Sequence, residues 1–525
     1  MCGIAAIICT SGDHRLLGDV ESLLSALRHR GSHPPTSRLY PGAALGCVRL
    51  DIVDSAGGVQ PMEAGPLAIV YNGEIYNHAE LRAALIAEGV AFDTYSDTEV
   101  VLKGYGYWGE AILDRLEGMF AFVIHDRRSG GFFAARDPFG IKPLYVVAAE
   151  GAWWFSSEIR PLRGLPDEPR PVPAGGHMSE ARACERVRYE EINPGATAVA
   201  PLAATIDAFR EAFSASVERH IPPDDLPVAV FCSGGVDSSA ILYEAVQACH
   251  RRGWDPKRKL RVYSVGTSAS EDPKVAARLT QELGLDFAFE EIDVPTMVAA
   301  IPDAVKVMET FEPNHIRAGT TSLALSKRVA ADGFKVALLG EGADELLGGY
   351  QEFPEAARTG GTAAVEDLIR IFSRQLHRTQ LRRVDRTSMS ATLEARVPFL
   401  DRRFTRLINT IPTDYKVRRV GSGEFVGKYV LREAYRGLMP DYIVDRRKVP
   451  MGEGAGVGDN RPAGPFHAHA EASVSDAELQ RLSAAYPQYG ISTKEEALYL
   501  GCFLREFGPL ALAADRPRTN ALPTR

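Results

Sequence analysis

Residues 226–239 read LPVAVFCSGGVDSS, the stretch that most narrows what this chain can become. A short apolar run rich in β-branched Val, too brief for a buried helix, stops abruptly at small polar residues and the Gly234-Gly235 pair. A helical pattern over 240–250 follows, so the stretch predicts strand, tight loop and helix. Ser and Gly at a helix N-terminus leave several backbone N–H groups free, add the positive end of the helix dipole and carry little bulk, which together suit a phosphate or pyrophosphate. Asp237 could then hold Mg²⁺ against that phosphate. The loop is not a Walker A loop, because no Gly-Lys-[Ser/Thr] follows four residues after the first Gly.

The remainder of the second half alternates as a parallel α/β fold requires. An amphipathic helix with Ile206, Phe209, Phe213 and Val217 precedes the loop; a strand at 260–265, a helix at 273–285, a strand at 286–292, a helix at 318–331 and a strand at 335–339 follow it. Ligands of such doubly wound sheets lie at the strand C-termini. There the chain offers Ser264-Val265-Gly266 as an adenine-side loop and GEGADE at 340–345, so Asp237 and Asp344 would both sit at strand edges, fitting Mg²⁺ against a triphosphate. Acidic residues after a strand are also common helix N-caps. Ser-Gly-Gly-x-Asp-Ser-Ser resembles the pyrophosphate loop of ATP pyrophosphatases, which activate an acid as its adenylate. That resemblance implies ATP as co-substrate, held by Phe231, Ser233, Gly234, Gly235, Asp237, Ser238, Val265, Gly340 and Glu341.

At the other end of the chain, Cys2 stands directly behind Met1 and ahead of an apolar strand at 4–8. Removing Met1 would make Cys2 the N-terminus, where an α-amine titrating near ~8 lies within reach of a thiol of pKa ~8.5 and can take its proton. A Cys at position 2 is usually an accident. Met-Cys-Gly-Ile, however, resembles the start of class II glutamine amidotransferases, Ntn-type enzymes whose N-terminal Cys attacks the side-chain amide of glutamine. His29-Arg30-Gly31 follows a short helix with Leu23, Leu24 and Leu27, as the family's His-Arg-Gly does. RLDIVD at 49–54 is similar to the segment whose Arg clamps the glutamine α-carboxylate, which implies that task for Arg49, with Ile52 and Val53 beside it.

A buried strand at 67–71 leads into NGEIYN at 72–77, similar to the family's oxyanion loop. Asn72 and Gly73 would face the oxyanion, and Glu74 the glutamine. Without that company, Asn-Gly suggests a hairpin turn. In SDTE at 96–99, Asp97 is the candidate carboxylate for the glutamine α-ammonium, with an N-cap as the plainer role. Where the family commonly continues Gly-Pro-Asp, this chain has Gly31-Ser32-His33-Pro34-Pro35. Strands around 119–125, 132–136, 144–148 and 153–156 fit an antiparallel sandwich. Residues 165–176 are rich in Pro and Gly and 180–204 are weakly periodic, which puts a linker there, ending near residue 200.

The expected class is therefore α/β and α+β: an N-terminal Ntn-type antiparallel sheet sandwich with helices over 1–200, and a doubly wound parallel α/β domain with a helical subdomain over 201–525. A net charge of −8 gives no basic footprint for nucleic acid or anionic membrane. No run approaches the ~18 apolar residues of a membrane span and no signal peptide is evident, so a cytoplasmic protein is expected. Seven scattered cysteines (Cys2, Cys9, Cys47, Cys184, Cys232, Cys249, Cys502) without metal-ligand pairs point to reduced thiols.

Taken together the sequence resembles glutamine-hydrolysing asparagine synthetase of the bacterial B type over nearly its whole length. FEPNHIRAGT at 311–320 resembles the acceptor-binding stretch, EARVPFLD at 394–401 and GKYVLR at 427–432 the helical subdomain, RRK at 446–448 the segment of the catalytic Lys, and TKEEALY at 493–499 the C-terminal helix. The resemblance implies Arg317 at the acceptor carboxylate, Lys448 at the charge between carboxylate and α-phosphate, and Glu341 as base for incoming ammonia. Related β-lactam synthetases lack the N-terminal Cys and carry Tyr where this chain has Glu341, so retention of both residues implies external ammonia.

The implied reaction turns aspartate, glutamine and ATP into asparagine, glutamate, AMP and pyrophosphate, with Mg²⁺ and an enclosed ammonia passage; the family also suggests a homodimer. Pro313-Asn314-His315 replaces the usual Thr-rich run before the Arg, and 451–460 is a Gly-rich sequence of its own; both departures bear on the acceptor. The alternatives are an amide synthetase of specialised metabolism using another carboxylate, a catalytically inactive regulatory relative, and a stand-alone glutaminase, the last disfavoured by the intact Ser233 loop.

Overall fold

Every second side chain of the first strand faces a different core, and that alternation dictates the layers around it. The computed structural model describes residues 1–9, 18–180, 182–186, 200–223, 225–421, 423–449, 454–456 and 464–510. Two compact units result: Met1–Tyr189 with Met389–Thr392 and Phe507–Ala514, and the remainder of the chain.

In chain order the strands of the first unit are Cys2–Cys9 (β1), Thr36–Tyr40 (β2), Ala43–Arg49 (β3), Met62–Ala64 (β4), Leu67–Ile75 (β5), Gly118–Asp126 (β6), Phe132–Arg136 (β7), Tyr145–Ala149 (β8), Ala152–Ser156 (β9), Arg170–Pro171 (β10), Gly176–Ser179 (β11) and Arg182–Arg186 (β12). They form two six-stranded sheets, β10-β8-β9-β1-β3-β2 and β12-β11-β7-β6-β5-β4. Cys2, Ile4, Ala6 and Ile8 of β1 share one apolar core with Ala68 and Val70 of β5 and Ala121 and Val123 of β6, between the sheets. Ala5 and Ile7 point the other way, to Val20, Leu23 and Leu24 of the helix Val20–Ala26. On the far side of the second sheet, Ile69, Tyr71 and Phe122 pack with Val100 and Val101 of the helix Asp97–Trp108. A strand apolar on both faces needs cover on both, so the result is a sandwich of two sheets with helices outside.

Two sequence-based expectations are corrected here. β5 does not end at residue 71 but runs on through Asn72, Gly73 and Glu74 to Ile75, so the expected loop is strand. The cause is its partner: β6 pairs antiparallel with it from Leu67↔Asp126 to Ile75↔Gly118, satisfying the backbone along the whole length. The segment expected as linker contains β10, β11 and β12, which extend both sheets at their edges. Short, Pro-containing edge strands carry little periodicity. The rest of the expected linker, 187–199, lies outside the described residues.

In the second unit Val228–Phe231 (β13), Leu260–Gly266 (β14), Phe287–Glu291 (β15), Val336–Leu338 (β16) and Glu394–Arg396 (β17) pair in parallel in the order β15-β14-β13-β16-β17. Helices Val236–Arg251, Glu271–Glu282 and Pro313–Ala331 join successive strands. The last of these starts five residues earlier than its apolar periodicity indicates, because Pro313 fits the first helical turn. Strand order reverses between neighbouring β13 and β16, whose following loops diverge and leave the crevice in which doubly wound sheets bind ligands. Further helices, among them Glu352–Gln375, Arg402–Thr410 and Tyr429–Tyr435, make up the helical part.

Among the described residues no helix is long and apolar enough to cross a membrane. Cys2, Cys9, Cys47, Cys232, Cys249 and Cys502 are free thiols, and the Cys184 side chain lies outside the described residues.

Phe213, on the helix Leu202–His220, is wholly buried and lies 4.3 Å from the Phe399 ring and 5.2 Å from that of Phe404. Phe213→Ala is expected to cost about 3–5 kcal/mol, the usual range for emptying an aromatic core site. A lowered urea midpoint measured by far-UV circular dichroism checks this, and an unchanged midpoint would contradict the core described here.

Candidate functional site

The alternation that places Ala68 and Val70 in the inter-sheet core carries Asn72 and Glu74 of β5 to the same face as Cys2. The Cys2 backbone N–H donates to Asn72 Oδ1 at 3.0 Å, while Asn72 Nδ2 is buried with no hydrogen-bond partner among the described residues. A buried donor left unpaired costs stability, and the groups that preorganise for a developing oxyanion are donors of this kind. Gln60 Nε2 donates to Cys2 Sγ at 3.8 Å, and Gln60 Oε1 accepts from the Tyr71 N–H at 2.6 Å. Arg30 Nε donates to the Cys2 carbonyl at 3.3 Å, and its Nη1 to Glu158 Oε1 at 2.9 Å; His29 Nε2 meets the same oxygen at 3.0 Å. The His29-Arg30-Gly31 motif thus fixes the Cys2 main chain.

A hydrogen bond from the Cys47 thiol is the largest influence on Cys2 and lowers its pKa to about 6 against burial, which acts the other way; the Met1 ammonium and Arg49 help. Burial and the neighbouring Cys2 sulfur push Cys47 well above the usual thiol range. Met1 is only 4% exposed; its ammonium donates to the Leu50 carbonyl at 2.9 Å and its carbonyl accepts from the Leu50 N–H at 2.7 Å.

Arg49 closes β3, and the loop after it folds back over the guanidinium, which donates to the carbonyls of Ser55 and Asp54, each at 2.7 Å. Ile52 of that loop is buried and Val53 half-buried. Asp54 also accepts from the Tyr95 N–H at 2.7 Å, tying this loop to the residues just before Asp97. The plainer reading of Asp97 does not hold: Ser96 is the helix N-cap, accepting from the Thr98 N–H. Asp97 Oδ2 instead accepts from Tyr71 Oη at 2.7 Å and the Ile75 N–H at 3.1 Å. The departure from the family's loop is anchored as well, His33 Nε2 standing 3.2 Å from Asp51 Oδ1.

In the second unit β13 and β16 end on a cavity of about 460 Å³. Phe231, Ser233, Gly235, Asp237, Ser238, Val265, Gly340, Glu341, Asp344 and Lys448 all line it. Gly234 shapes the turn: its φ is +72°, and a Cβ there would stand 2.6 Å from Val275 Cγ1. Gly235 caps the helix Val236–Arg251, and Ser233 Oγ accepts from the Gly235 N–H at 3.3 Å. Arg446 grips the loop, donating to the Ser233 carbonyl at 3.0 Å and to Asp272 Oδ1 at 2.5 Å. Of the Gly-rich stretch 451–460 only 454–456 lie among the described residues, and Ala455 reaches the cavity wall.

Lys428 Nζ sits 2.5 Å from both Asp237 Oδ2 and Asp344 Oδ1, and Lys448 Nζ 2.7 Å from Asp344 Oδ2. Burial alone would raise the Asp344 carboxyl, but the two ammonium groups hold it at about 2. Burial would lower Lys448, and Asp344 and Asp237 raise it instead. Gly349 makes room, since a Cβ on it would fall 2.0 Å from Lys428 Cε. Glu341 pairs with Arg383 at 2.9 Å. Burial and the Asp344 charge push Glu345 up to about 7 despite a 2.5 Å hydrogen bond from Tyr350 Oη.

Among the described residues no three His, Cys, Asp or Glu side chains gather as a metal site. Asp237 Oδ1, buried without a hydrogen-bond partner, leaves one open carboxylate oxygen, whereas both oxygens of Asp344 meet lysines. That set fits Mg²⁺ carried by phosphates better than a protein cage. Arg317 is not among the cavity residues: its Nε donates to Glu495 Oε1 at 2.7 Å and its Nη2 to the other oxygen of the same carboxylate. Sequence reasoning missed Gln60, Cys47, Lys428 and Arg383, none of which stands in a local motif.

The Cys2 thiol should therefore alkylate with iodoacetamide along a pH profile centred near 6, and Cys47→Ala should move the midpoint upward, since the thiolate loses its donor. Peptide mass spectrometry of Cys2 at graded pH measures this. A midpoint unmoved in Cys47→Ala would remove Cys47 from the site.

A glutamine amidotransferase domain family matches residues 1–175, and an asparagine synthase family matches residues 208–365 and 355–498. A probable asparagine synthetase [glutamine-hydrolyzing] of Dictyostelium discoideum is 32% identical over 530 residues, covering 96% of this chain and 93% of that one. Asparagine synthetase [glutamine-hydrolyzing] 2 of Arabidopsis thaliana is 32% identical, covering 98% and 89%, and the enzyme of the same description from Triphysaria versicolor is 34% identical, covering 97% and 86%. Agreement of this extent, over both units and through both candidate sites, means that the chain belongs to the glutamine-hydrolysing asparagine synthetase family.

Proposed function

We propose that this chain forms an amide from a carboxylic acid, with L-aspartate as the acid, glutamine as nitrogen source and ATP as activator. The observation that carries the reading is that one chain holds both a lowered thiol beside an unpaired buried amide donor, at Cys2 and Asn72, and a lysine-lined cavity at the end of β13. Full-length similarity to proteins described as asparagine synthetase [glutamine-hydrolyzing] supports it.

In the first half-reaction the Cys2 thiolate attacks the side-chain amide carbon of glutamine. Removal of Met1 turns the Cys2 nitrogen into an α-amine next to Asn72 Oδ1, able to accept the thiol proton. Asn72 Nδ2 and the Gly73 N–H stabilise the oxyanion, ammonia leaves, and water hydrolyses the thioester to glutamate. Arg49 and Asp97 hold the α-carboxylate and α-ammonium. Ammonia released into bulk water at neutral pH is protonated and loses its nucleophilicity, so the reading requires transfer that excludes bulk water.

In the second half-reaction an acceptor carboxylate oxygen attacks the α-phosphorus and pyrophosphate leaves. The backbone N–H groups at the start of Val236–Arg251 and the ammonium of Lys448 stabilise the charge of the phosphates. Mg²⁺, entering with ATP, would supply further neutralisation, with Asp237 as its protein ligand. Ammonia then attacks the acyl carbon, Glu341 takes a proton from it, and AMP leaves.

Cys2→Ala is expected to abolish glutamine-driven synthesis and to leave synthesis from ammonium salts largely intact, because Cys2 serves only ammonia release. Transfer of ¹⁵N from amide-labelled glutamine to the product, followed by mass spectrometry, is the direct assay, and an unlabelled or cyclised product contradicts the reading. At the second site Lys448→Ala should suppress both pyrophosphate exchange and amide formation. Glu341→Gln should retain exchange of pyrophosphate into ATP while making little amide; loss of exchange in both variants would show that the two residues do not divide the steps as described.

A further inference from the structure

The helix Pro313–Ala331 lies along the cavity, with His315, Ala318, Ser322, Leu325 and Ser326 on its inner wall at three- and four-residue intervals. His315 is the N-terminal member of that face, about 15 Å along the axis from Leu325 at 1.5 Å rise per residue. It is 5% exposed, and its Nε2 is buried with no hydrogen-bond partner among the described residues. A polar ring on the wall of a binding cavity, closed off from water and unpaired, is an uncommon expense unless a ligand completes it. The cation that the sequence offers for the acceptor, Arg317, is two residues away and is already engaged by Glu495.

We propose that His315 determines acceptor specificity, its ring N–H donating a hydrogen bond to the non-reacting carboxylate of an amino-dicarboxylic acid bound between His315 and Glu341. The inference rests on the amide-forming reading above and adds the residue that selects the acid. Burial and the charges of Arg382 and Arg383 push the His315 imidazole down to about 3, so the ring is neutral and keeps one N–H to donate. The two guanidinium groups that keep it neutral also repel a ligand's ammonium and attract its carboxylate. Arg383 is the partner of Glu341, which links the recognising end of the acceptor to the end where the amide bond forms.

The test compares wild type, His315→Leu and His315→Gln with L-aspartate and with L-aspartate α-amide, in which the second carboxylate is a carboxamide. Losing a hydrogen bond to a charged group typically weakens binding about 10- to 100-fold. His315→Leu should raise KM for L-aspartate by that factor while KM for ATP moves less than about threefold. His315→Gln, which keeps an N–H at similar reach, should recover part of the loss. Wild type should prefer L-aspartate to its α-amide, and His315→Leu should lose most of that preference. Should the Leu variant fail to fold, the same comparison of preference is made with His315→Gln, where it should be reduced. Amide formation with unaltered acceptor KM and unaltered preference in the variants overturns the inference alone. Wild type that makes no amide from L-aspartate overturns the functional reading and the inference with it.

Discussion

The ammonium of Lys428, enclosed between Asp237 and Asp344, joins three parts of the chain that otherwise have no reason to meet: the helix after β13, the helix after β16 and the helical region near residue 430. Its side chain is 2% exposed. Removing one partner of a buried ion pair typically costs about 3–5 kcal/mol, because the survivor is left charged in a medium that solvates it poorly. The contact therefore constrains its surroundings: Gly349 must lack a Cβ, and Lys428 adopts φ +56°, a backbone state unfavourable to side chains by about 1–2 kcal/mol. With Lys448 on the outer oxygen of Asp344, two carboxylates and two ammonium groups balance one another. Arg432, Arg446 and Arg447 line the same cavity.

The first unit depends on a different constraint. Its nucleophile candidate is the first side chain of a strand that runs through the middle of a sheet, and the pleat decides what that side chain can meet. Cys2 faces Cys47 and the even-numbered residues of β5, so a one-residue slip of either strand would replace the thiol and the unpaired amide by residues of the outer faces. The register is held by pairing on both sides of β1, with β3 and β9, and by Arg30 on the Cys2 carbonyl.

How much of this is legible in the sequence follows from how far apart the partners lie. The Ser233 loop could be read because a phosphate cradle uses consecutive backbone groups, and its position after a buried strand is a local pattern. The strand order also follows from alternation. Lys428 could not be read as part of the site, since its carboxylate partner Asp237 lies 191 residues away and a single Lys beside a helix is ordinarily solvated. Arg317 misled for the same reason, because Glu495, 178 residues on, takes the charge that the local motif seemed to offer a substrate. The extension of β5 through Asn72-Gly73-Glu74 was hidden by a dipeptide that usually turns, and only the facing length of β6 overrides it.

The clasp of Met1 bears on when the chain becomes competent. Met1 is buried, with its ammonium on the Leu50 carbonyl and its own carbonyl on the Leu50 N–H, as though it were one more residue of the sheet. An aminopeptidase needs a free, extended terminus, which the folded unit does not present. If Cys2 acts with its own α-amine, its exposure belongs to the interval before β1 zips against β3, while the N-terminus is outside the ribosome and residues 43–49 are still to be folded. Processing and folding then compete for the same few residues, and a chain that folds first is locked into an unprocessed form. The fraction of competent enzyme in a preparation is on this account a record of biosynthesis rather than of equilibrium stability.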